Sequence, residues 1–160
     1  MIGTIVAVFF DPWRGLAEAS TAGRNPRLLW RKAQWFKANP RDKDYMRARL
    51  AEHRPEASFV DATANPNWAD ALAGAGEVVL LYPDAIGIGF GAIERRLPGH
   101  ARITVLNGRR RVFALDRPTR RRLMLRRFLE RTMLLECVFG IGLLVATPFL
   151  LSVDLARGRR

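Results

Sequence analysis

Residues 4–12 read TIVAVFFDP, a run of β-branched and aromatic side chains that ends at an Asp-Pro pair. A continuous apolar run of this length predicts a β-strand that is buried on both faces, as in a parallel sheet. Two later segments have a similar form: Ala57–Val60 is followed by an aspartate, and EVVLLY at 77–82 is followed by Pro-Asp. We therefore expect three strands of one sheet.

Three Asn-Pro pairs, at residues 25–26, 39–40 and 65–66, predict helix starts between these strands. Asparagine caps a helix well, and proline fits its first turn because the ring sets a helical φ. The second helix is expected to run to about Arg54, and the third to cover NWADALAGA at 67–75. The resulting order β, α, α, β, α, β predicts parallel strands joined by right-handed crossovers, the opening half of a three-layer α/β domain.

The pattern changes after the third strand. Residues 86–91, IGIGFG, alternate apolar residues with glycines, which predicts a strand with one bare face. Asn107-Gly108 then lies between the runs Ile103–Leu106 and Arg111–Leu115, and this predicts an antiparallel β-hairpin added to the sheet. The expected fold is therefore a small α/β domain with a mainly parallel sheet plus a C-terminal hairpin. Asp116 with a proline two residues later predicts the start of the following helix.

The last quarter of the chain joins dense positive charge to the most apolar segment. The net charge is +12, and residues 117–160 alone contain ten arginines against three acidic residues. Residues 137–153 are uncharged and would cover roughly 25 Å as a helix, and including 133–135 reaches the ~30 Å hydrocarbon core of a bilayer. A soluble helix of this length would show a polar face. We expect a cytoplasmic α/β domain over 1–116, a basic juxtamembrane helix over 117–132, a membrane helix over 133–154 and a basic tail over 155–160.

Basic residues flank the apolar segment on both sides. Those expected to contact lipid headgroups are Arg120, Arg121, Arg122, Arg126, Arg127 and Arg131. The positive-inside rule places the domain in the cytoplasm, on the inner membrane, with anionic lipid as a partner. Pro148 leaves a second topology open, because a bent helix could return to the same leaflet as a re-entrant hairpin. Glu136 would lie near the headgroups and could pair with Arg131.

Three aspartates, Asp11, Asp61 and Asp84, stand at or just after strand ends. Ligands of open α/β sheets bind at the carboxyl ends of parallel strands, so these side chains could converge there. Converging carboxylates could hold Mg²⁺ against a phosphate or act as acid and base. The alternative is that each aspartate caps a helix or begins a turn, which is common in loops that follow a strand.

Gly87, Gly89 and Gly91 also allow two interpretations. A bare strand face would let a flat or phosphorylated ligand approach the backbone, or it would let a helix pack closely on the sheet. The basic aromatic stretch PRLLWRKAQWFK at 26–37 allows three. It could be a helix packed through Leu28, Trp35 and Phe36, a helix at the membrane interface, or a surface on which nucleic-acid bases stack.

The sequence contains no P-loop, HExxH, GxSxG or CxxC motif, and its single cysteine excludes an intrachain disulfide. The leading expectation is a non-enzymatic, membrane-anchored accessory or assembly subunit of an envelope biosynthetic complex, with other membrane or envelope proteins as partners. One alternative is an enzyme at the membrane surface that acts on a phosphorylated or nucleotide-linked glycosyl substrate, with Mg²⁺ as its cofactor. A nucleic-acid-binding protein is the other.

Overall fold

The computed structural model describes residues 4–14, 26–132 and 134–158, with only the backbone of 26–28 and 134–136. The chain divides into two compact units, Met1–Arg127 and Phe128–Arg160. The strands are β1 (Thr4–Phe9), β2 (Ser58–Asp61), β3 (Ala75–Tyr82), β4 (Arg102–Asn107) and β5 (Val112–Ala114). The helices are α1 (Pro26–Ala38), α2 (Lys43–His53), α3 (Gly91–Glu94), α4 (Arg117–Thr132) and α5 (Leu134–Arg157), with a 3₁₀ turn at Asp70–Leu72.

The five strands form one sheet in the order β2-β1-β3-β4-β5. The first four pair in parallel, and β5 runs antiparallel to β4. The central strand β3 is the most deeply buried, because every side chain from Val78 to Tyr82 is at most 2% exposed. A run buried on both faces is what an apolar sequence without alternation predicts. The predicted α/β class with a mostly parallel sheet is therefore confirmed.

Successive residues of a strand point to opposite faces of the sheet, and the strands therefore contribute to two separate hydrophobic clusters, one on each face. One cluster contains Val6, Val8, Trp68, Leu72, Val78, Leu80, Tyr82, Phe90, Ile93 and Val105, with Leu123 of α4 packed against it. The other contains Ala7, Phe9, Met46, Leu50, Val79, Leu81 and Leu106. Because α2 supplies Met46 and Leu50, it covers the second face of the sheet. Layers thus lie on both sides of the strands.

The prediction that Asn39-Pro40 begins α2 is wrong. Asn39 instead ends α1 in a left-handed conformation, with φ 44°, and its amide donates to the Trp35 carbonyl at 2.9 Å. The N-cap of α2 is Asp42, whose carboxylate accepts the Tyr45 amide at 2.8 Å. Asparagine is the residue after glycine that best tolerates this C-terminal position, so an Asn-Pro pair marks a helix end as readily as a start.

The predicted helix over 67–75 is also wrong. Asn65 accepts the Asn67 amide through its side chain in a local turn, and the helical region shrinks to the 3₁₀ turn at Asp70–Leu72. An asparagine that bonds the backbone two residues on competes with helix formation. Asn25, which is expected to cap α1, lies outside the described residues.

Residues 86–91 do not form the predicted strand. Gly87 and Gly89 have φ values of +68° and +93°, which a strand excludes, and the chain forms a loop that leads into α3. The glycine alternation imitates the period of a strand, but here it supplies the positive φ angles of a tight loop.

The β4–β5 hairpin is present, although its turn differs from the prediction. Four residues, 108–111, connect the strands, and the left-handed residue is Arg110 (φ 63°), not Asn107 or Gly108. The Asn107 side chain accepts hydrogen bonds from the amides of Arg109 at 3.1 Å and Arg111 at 2.9 Å, and these bonds stabilise the turn. Gly108 is required for a different reason: a Cβ there would overlap the Pro83 carbonyl oxygen.

Helix α4 begins as predicted, because Asp116 accepts the Thr119 amide at 2.9 Å. Within α5, the 21-residue segment Cys137–Arg157 contains an 18-residue stretch with a mean hydropathy of 2.0 and no buried side chain, so it is long and apolar enough to cross a membrane. The helix continues through Pro148 and ends beyond the predicted residue 154. Met133, the side chain of Glu136 and the last two arginines lie outside the described residues.

Candidate functional site

Asp84 lies two residues after β3 and is 2% exposed. One carboxylate oxygen accepts the amides of Ile86 at 2.8 Å and Gly87 at 2.5 Å, and the other accepts the Ile88 amide at 3.0 Å. Burial raises the pKa of this carboxyl above its ordinary value, although the three amides pull in the opposite direction. Asp84 therefore shapes the loop over residues 83–90, between β3 and α3, which we call the glycine loop.

Asp61 and Asp11 are joined through Thr63 at the neighbouring strand ends. Asp61 accepts the Thr63 amide at 2.9 Å and pairs with Lys43 at 3.1 Å. Burial raises the pKa of Asp61, but the Lys43 hydrogen bond and the backbone amides outweigh it, so the net pKa is lowered. Asp11 accepts the Trp13 amide at 2.9 Å, and its own amide donates to the Thr63 hydroxyl at 2.8 Å. Both carboxylates hold loops.

The three aspartates share the carboxyl edge of the sheet but form no metal-binding cluster. Across 4–14, 26–132 and 134–158, no group of three or more His, Cys, Asp or Glu side chains is placed to hold a metal ion. Each carboxylate accepts at least one backbone amide close in sequence. The contacts therefore match the turn-forming interpretation of these aspartates.

The three glycines differ in what surrounds them. A Cβ at Gly87 would lie 2.6 Å from the Tyr82 ring, and one at Gly89 would lie 2.6 Å from the Pro12 side chain. A Cβ at Gly91 would meet no atom within 4 Å. Close packing and positive φ thus account for the first two glycines, and α3 begins at the third.

A cleft of about 250 Å³ opens at the carboxyl ends of β3 and β4. Three segments surround it: the α1–α2 connection with the start of α2, the loop after β3, and the β4–β5 turn. Its lining residues are Ala38, Asn39, Arg41, Tyr45, Pro83, Asp84, Ala85, Gly108, Arg109 and Arg110. Sequence reasoning missed this site, although the run of three arginines directly after Asn107-Gly108 was a signal that charge gathers at the turn.

Backbone hydrogen bonds hold the cleft together. The Arg41 amide donates to the Pro83 carbonyl at 2.7 Å, and the Gly108 amide donates to the Tyr82 carbonyl at 2.8 Å. The Asn107 side chain, 2% exposed, also donates to the Ala85 carbonyl at 2.9 Å. These bonds attach the α1–α2 connection and the β4–β5 turn to the end of the central strand, so the cleft has a rigid base.

Tyr45 organises two arginines at the rim of the cleft. The Arg41 guanidinium lies over the Tyr45 ring, 5.4 Å from its centroid, in a cation–π contact. A hydrogen-bond interaction with Tyr45 raises the pKa of the Arg110 guanidinium. Within the described parts of the chain, Arg41, Arg109 and Arg110 form no salt bridge. The rim therefore carries three positive charges without a paired carboxylate.

The arginines of α4 that are expected to face lipid do not share one environment. Arg121, Arg122, Arg126 and Arg131 are exposed, and Arg120 is half-buried. Arg127 is different: its guanidinium pairs with Glu94 at 2.6 Å and donates to the Ile86 carbonyl at 2.7 Å. The structure therefore assigns Arg127 to the interior of the α/β unit, because its charge is already satisfied there.

Helix α1 exposes an apolar stripe. Leu29 and Phe36, seven residues apart on the same helix face, are 54% and 72% exposed. Gln34 is buried and Trp35 half-buried, so these two lie on the packed side. The interpretation in which Leu28, Trp35 and Phe36 pack the helix is therefore wrong for Phe36, and the side chain of Leu28 lies outside the described residues. Lys32 and Lys37 flank the stripe by helical position.

Comparison with protein-family models, with curated proteins and with solved structures finds no match to this chain.

Proposed function

We propose that this protein is a membrane-anchored accessory or assembly subunit with a cytoplasmic α/β domain. In this proposal α5 crosses the inner membrane, and the α/β unit contacts other membrane or envelope proteins, as in an envelope biosynthetic complex. The observation that supports it most strongly is α5 itself, a helix whose central part is uncharged and mostly apolar, with no buried side chain among the described residues.

The geometry of α5 suits a lipid environment. Its 24 residues extend about 36 Å at 1.5 Å per residue, enough to cross a hydrocarbon core of ~30 Å. The hydroxyls of Thr147 and Ser152 donate to the carbonyls of Leu143 and Pro148, at 2.6 and 2.8 Å, so they need no water. Because the helix is continuous at Pro148, we favour a spanning helix over a re-entrant one.

Basic residues support the proposed orientation. The exposed arginines of α4 precede the apolar helix, and the positive-inside rule puts such a flank in the cytoplasm. Each arginine near an anionic leaflet contributes about 1 kcal/mol. The stripe of Leu29 and Phe36 between two lysines on α1 has the composition of a helix that lies at a lipid surface. We therefore propose anionic lipid as a second partner of the domain.

The accessory role is proposed over the enzyme because the candidate carboxylates already have structural partners. Both oxygens of Asp84 accept amides of the glycine loop, and Asp61 accepts the Thr63 amide and pairs with Lys43. One oxygen of Asp11 accepts the Trp13 amide. An acid–base or metal-binding carboxylate needs an oxygen that is available to a substrate or an ion.

Complementation of a deletion strain tests this choice, with growth and envelope integrity as readouts. We expect Asp61→Asn and Asp84→Asn, at normal protein levels, to restore wild-type behaviour. A chain that lacks 133–160 should not, and an unrelated membrane helix of the same topology should replace α5. If either aspartate variant is stable in the cell but inactive, the membrane-surface enzyme is the better proposal.

A further inference from the structure

The cleft at the ends of β3 and β4 gathers three arginines that form no salt bridge within the described parts of the chain. Arg41 and Arg109 are exposed at its rim, and Arg110 lies beside the Tyr45 hydroxyl. Like charges held together in this way repel one another, and an anion between them would relieve that repulsion. Arginine is also the side chain that best matches phosphate, because its planar fork donates two parallel hydrogen bonds.

The arginines are positioned by the fold and do not merely share a surface. Asn107 holds the turn that carries Arg109 and Arg110, and the Pro83 carbonyl holds the backbone of Arg41. Arg110 adopts a left-handed backbone, φ 63°, which is uncommon for a residue other than glycine. Such a conformation persists only where the surrounding structure supports it, and here it places an arginine at the rim.

The acidic residues near the cleft have other partners. Asp84 lines the cleft, but both of its carboxylate oxygens accept backbone amides of the glycine loop. Asp42 caps α2 by accepting the Tyr45 amide. The charge of Glu52 acts on Arg110, but its carboxylate forms its salt bridge with Arg49. The net character of the cleft is therefore basic.

The location and the size of the cleft restrict its ligand. Open α/β sheets bind ligands outside the carboxyl ends of their parallel strands, which is where this cleft lies. Its volume of about 250 Å³ is below the roughly 300–1,000 Å³ of pockets that enclose a whole drug-sized molecule. It fits one charged group of a larger molecule better than the whole of it.

We propose that this cleft binds the phosphate or diphosphate group of a phosphorylated ligand through Arg41, Arg109 and Arg110. The site goes beyond the anchoring function and does not depend on it. The ligand has two possible sources, a soluble phosphorylated compound or the headgroup of a lipid, and both present the same chemistry to the three arginines.

Titration calorimetry on the full-length protein in nanodiscs of zwitterionic lipid tests the proposal, with inorganic pyrophosphate as the probe. We expect saturable binding at one site per chain. Arg41→Gln and Arg109→Gln should each weaken it by about tenfold or more, because each removes a charge-assisted hydrogen bond. A second arm uses nanodiscs that contain a lipid with a phosphomonoester headgroup. Here an arginine-modifying reagent is added, and mass spectrometry measures how far the lipid protects the cleft arginines from modification.

A matched variant, Arg121→Gln with Arg122→Gln, removes two exposed charges outside the cleft and should leave pyrophosphate binding within twofold of wild type. Binding of pyrophosphate that the cleft variants abolish supports the proposal with a soluble source. Protection by the lipid alone, lost in the same variants, supports it with a headgroup source. No binding in either arm, or equal losses of pyrophosphate binding in the cleft and control variants, overturns it. So does tighter binding of a single-stranded oligonucleotide that the control variant weakens equally, because this would indicate a general polyanion surface.

Discussion

Replacing Arg127 with methionine is expected to lower the free energy of unfolding of the α/β unit by about 3–5 kcal/mol, the usual result of removing one partner from a buried ion pair. The Arg127 guanidinium bonds Glu94 at 2.6 Å and the Tyr82 hydroxyl at 3.0 Å, and its side chain is 12% exposed. Burial lowers the pKa of Arg127, but the contacts with Glu94 and Tyr82 outweigh it, so the guanidinium stays charged.

Methionine keeps much of the volume of the arginine stem but leaves the Glu94 carboxylate with Tyr82 alone. The Tyr82 hydroxyl donates to Glu94 at 2.6 Å, and burial together with the charge of Glu94 raises the pKa of the tyrosine, so this donor remains protonated. One neutral donor compensates a buried carboxylate poorly. The rings of Tyr82 and Phe90 are in contact, with centroids 4.5 Å apart. In the variant, this apolar contact would lie next to an uncompensated negative charge.

Urea unfolding in detergent micelles, followed by the fluorescence of the buried Trp13 and Trp68, measures this effect. The matched control is Arg126→Met, because Arg126 precedes Arg127 on the same helix but is exposed, and it should change stability by no more than about 0.5 kcal/mol. The double variant Glu94→Leu with Arg127→Met should recover part of the loss. Equal stability of the Arg126 and Arg127 variants would contradict a structural role for this ion pair.

Two arginines at the middle of α5, Leu144→Arg with Val145→Arg, are expected to release the protein from the membrane. Both positions are exposed, at 77% and 72%, so in a bilayer they would face lipid or a partner helix. Each arginine at the centre of a membrane helix costs about 2.5–3.5 kcal/mol on insertion scales, and two together remove much of what drives insertion.

The matched control for this variant is Leu155→Arg. Leu155 is also exposed, at 64%, but it lies near the end of the helix, where a long basic side chain reaches the headgroups. We expect the control to remain in the membrane fraction and the central variant to leave it or to be degraded. If the central variant partitions like the control, α5 does not lie in a hydrocarbon core.

The sheet could be predicted because apolar runs such as TIVAVFF and EVVLLY have few alternatives to a buried strand. The glycine loop could not, because its alternation matches a strand and the deciding contact is Asp84 with three amides of the same loop. The Asn-Pro pairs at 39–40 and 65–66 led to wrong helix predictions for a similar reason. Asparagine serves a helix start, a helix end and a turn, and only the tertiary contacts select among these.

The candidate site was harder to predict than the fold. Arg127 is one of several arginines on α4, and nothing in the local sequence distinguishes it from the others. Its burial depends on an ion pair with Glu94, which is 33 residues away. At the cleft, hydrogen bonds to the end of β3 bring the segments that carry Arg41 and Arg109 together. No short sequence motif predicts that these two distant segments are neighbours. Local patterns thus predict elements, whereas a site that is assembled from distant loops appears only in the folded chain.

Alkaline carbonate extraction of isolated membranes tests the central claim, that α5 embeds this protein in a bilayer, most directly. Full-length protein and a chain that ends at residue 132 are expressed at equal levels, and each is followed through extraction and then detergent treatment. We predict that the full-length chain stays with the membranes until detergent is added, and that the shortened chain does not. A full-length chain that carbonate releases, or that is soluble without detergent, would contradict the proposed anchor.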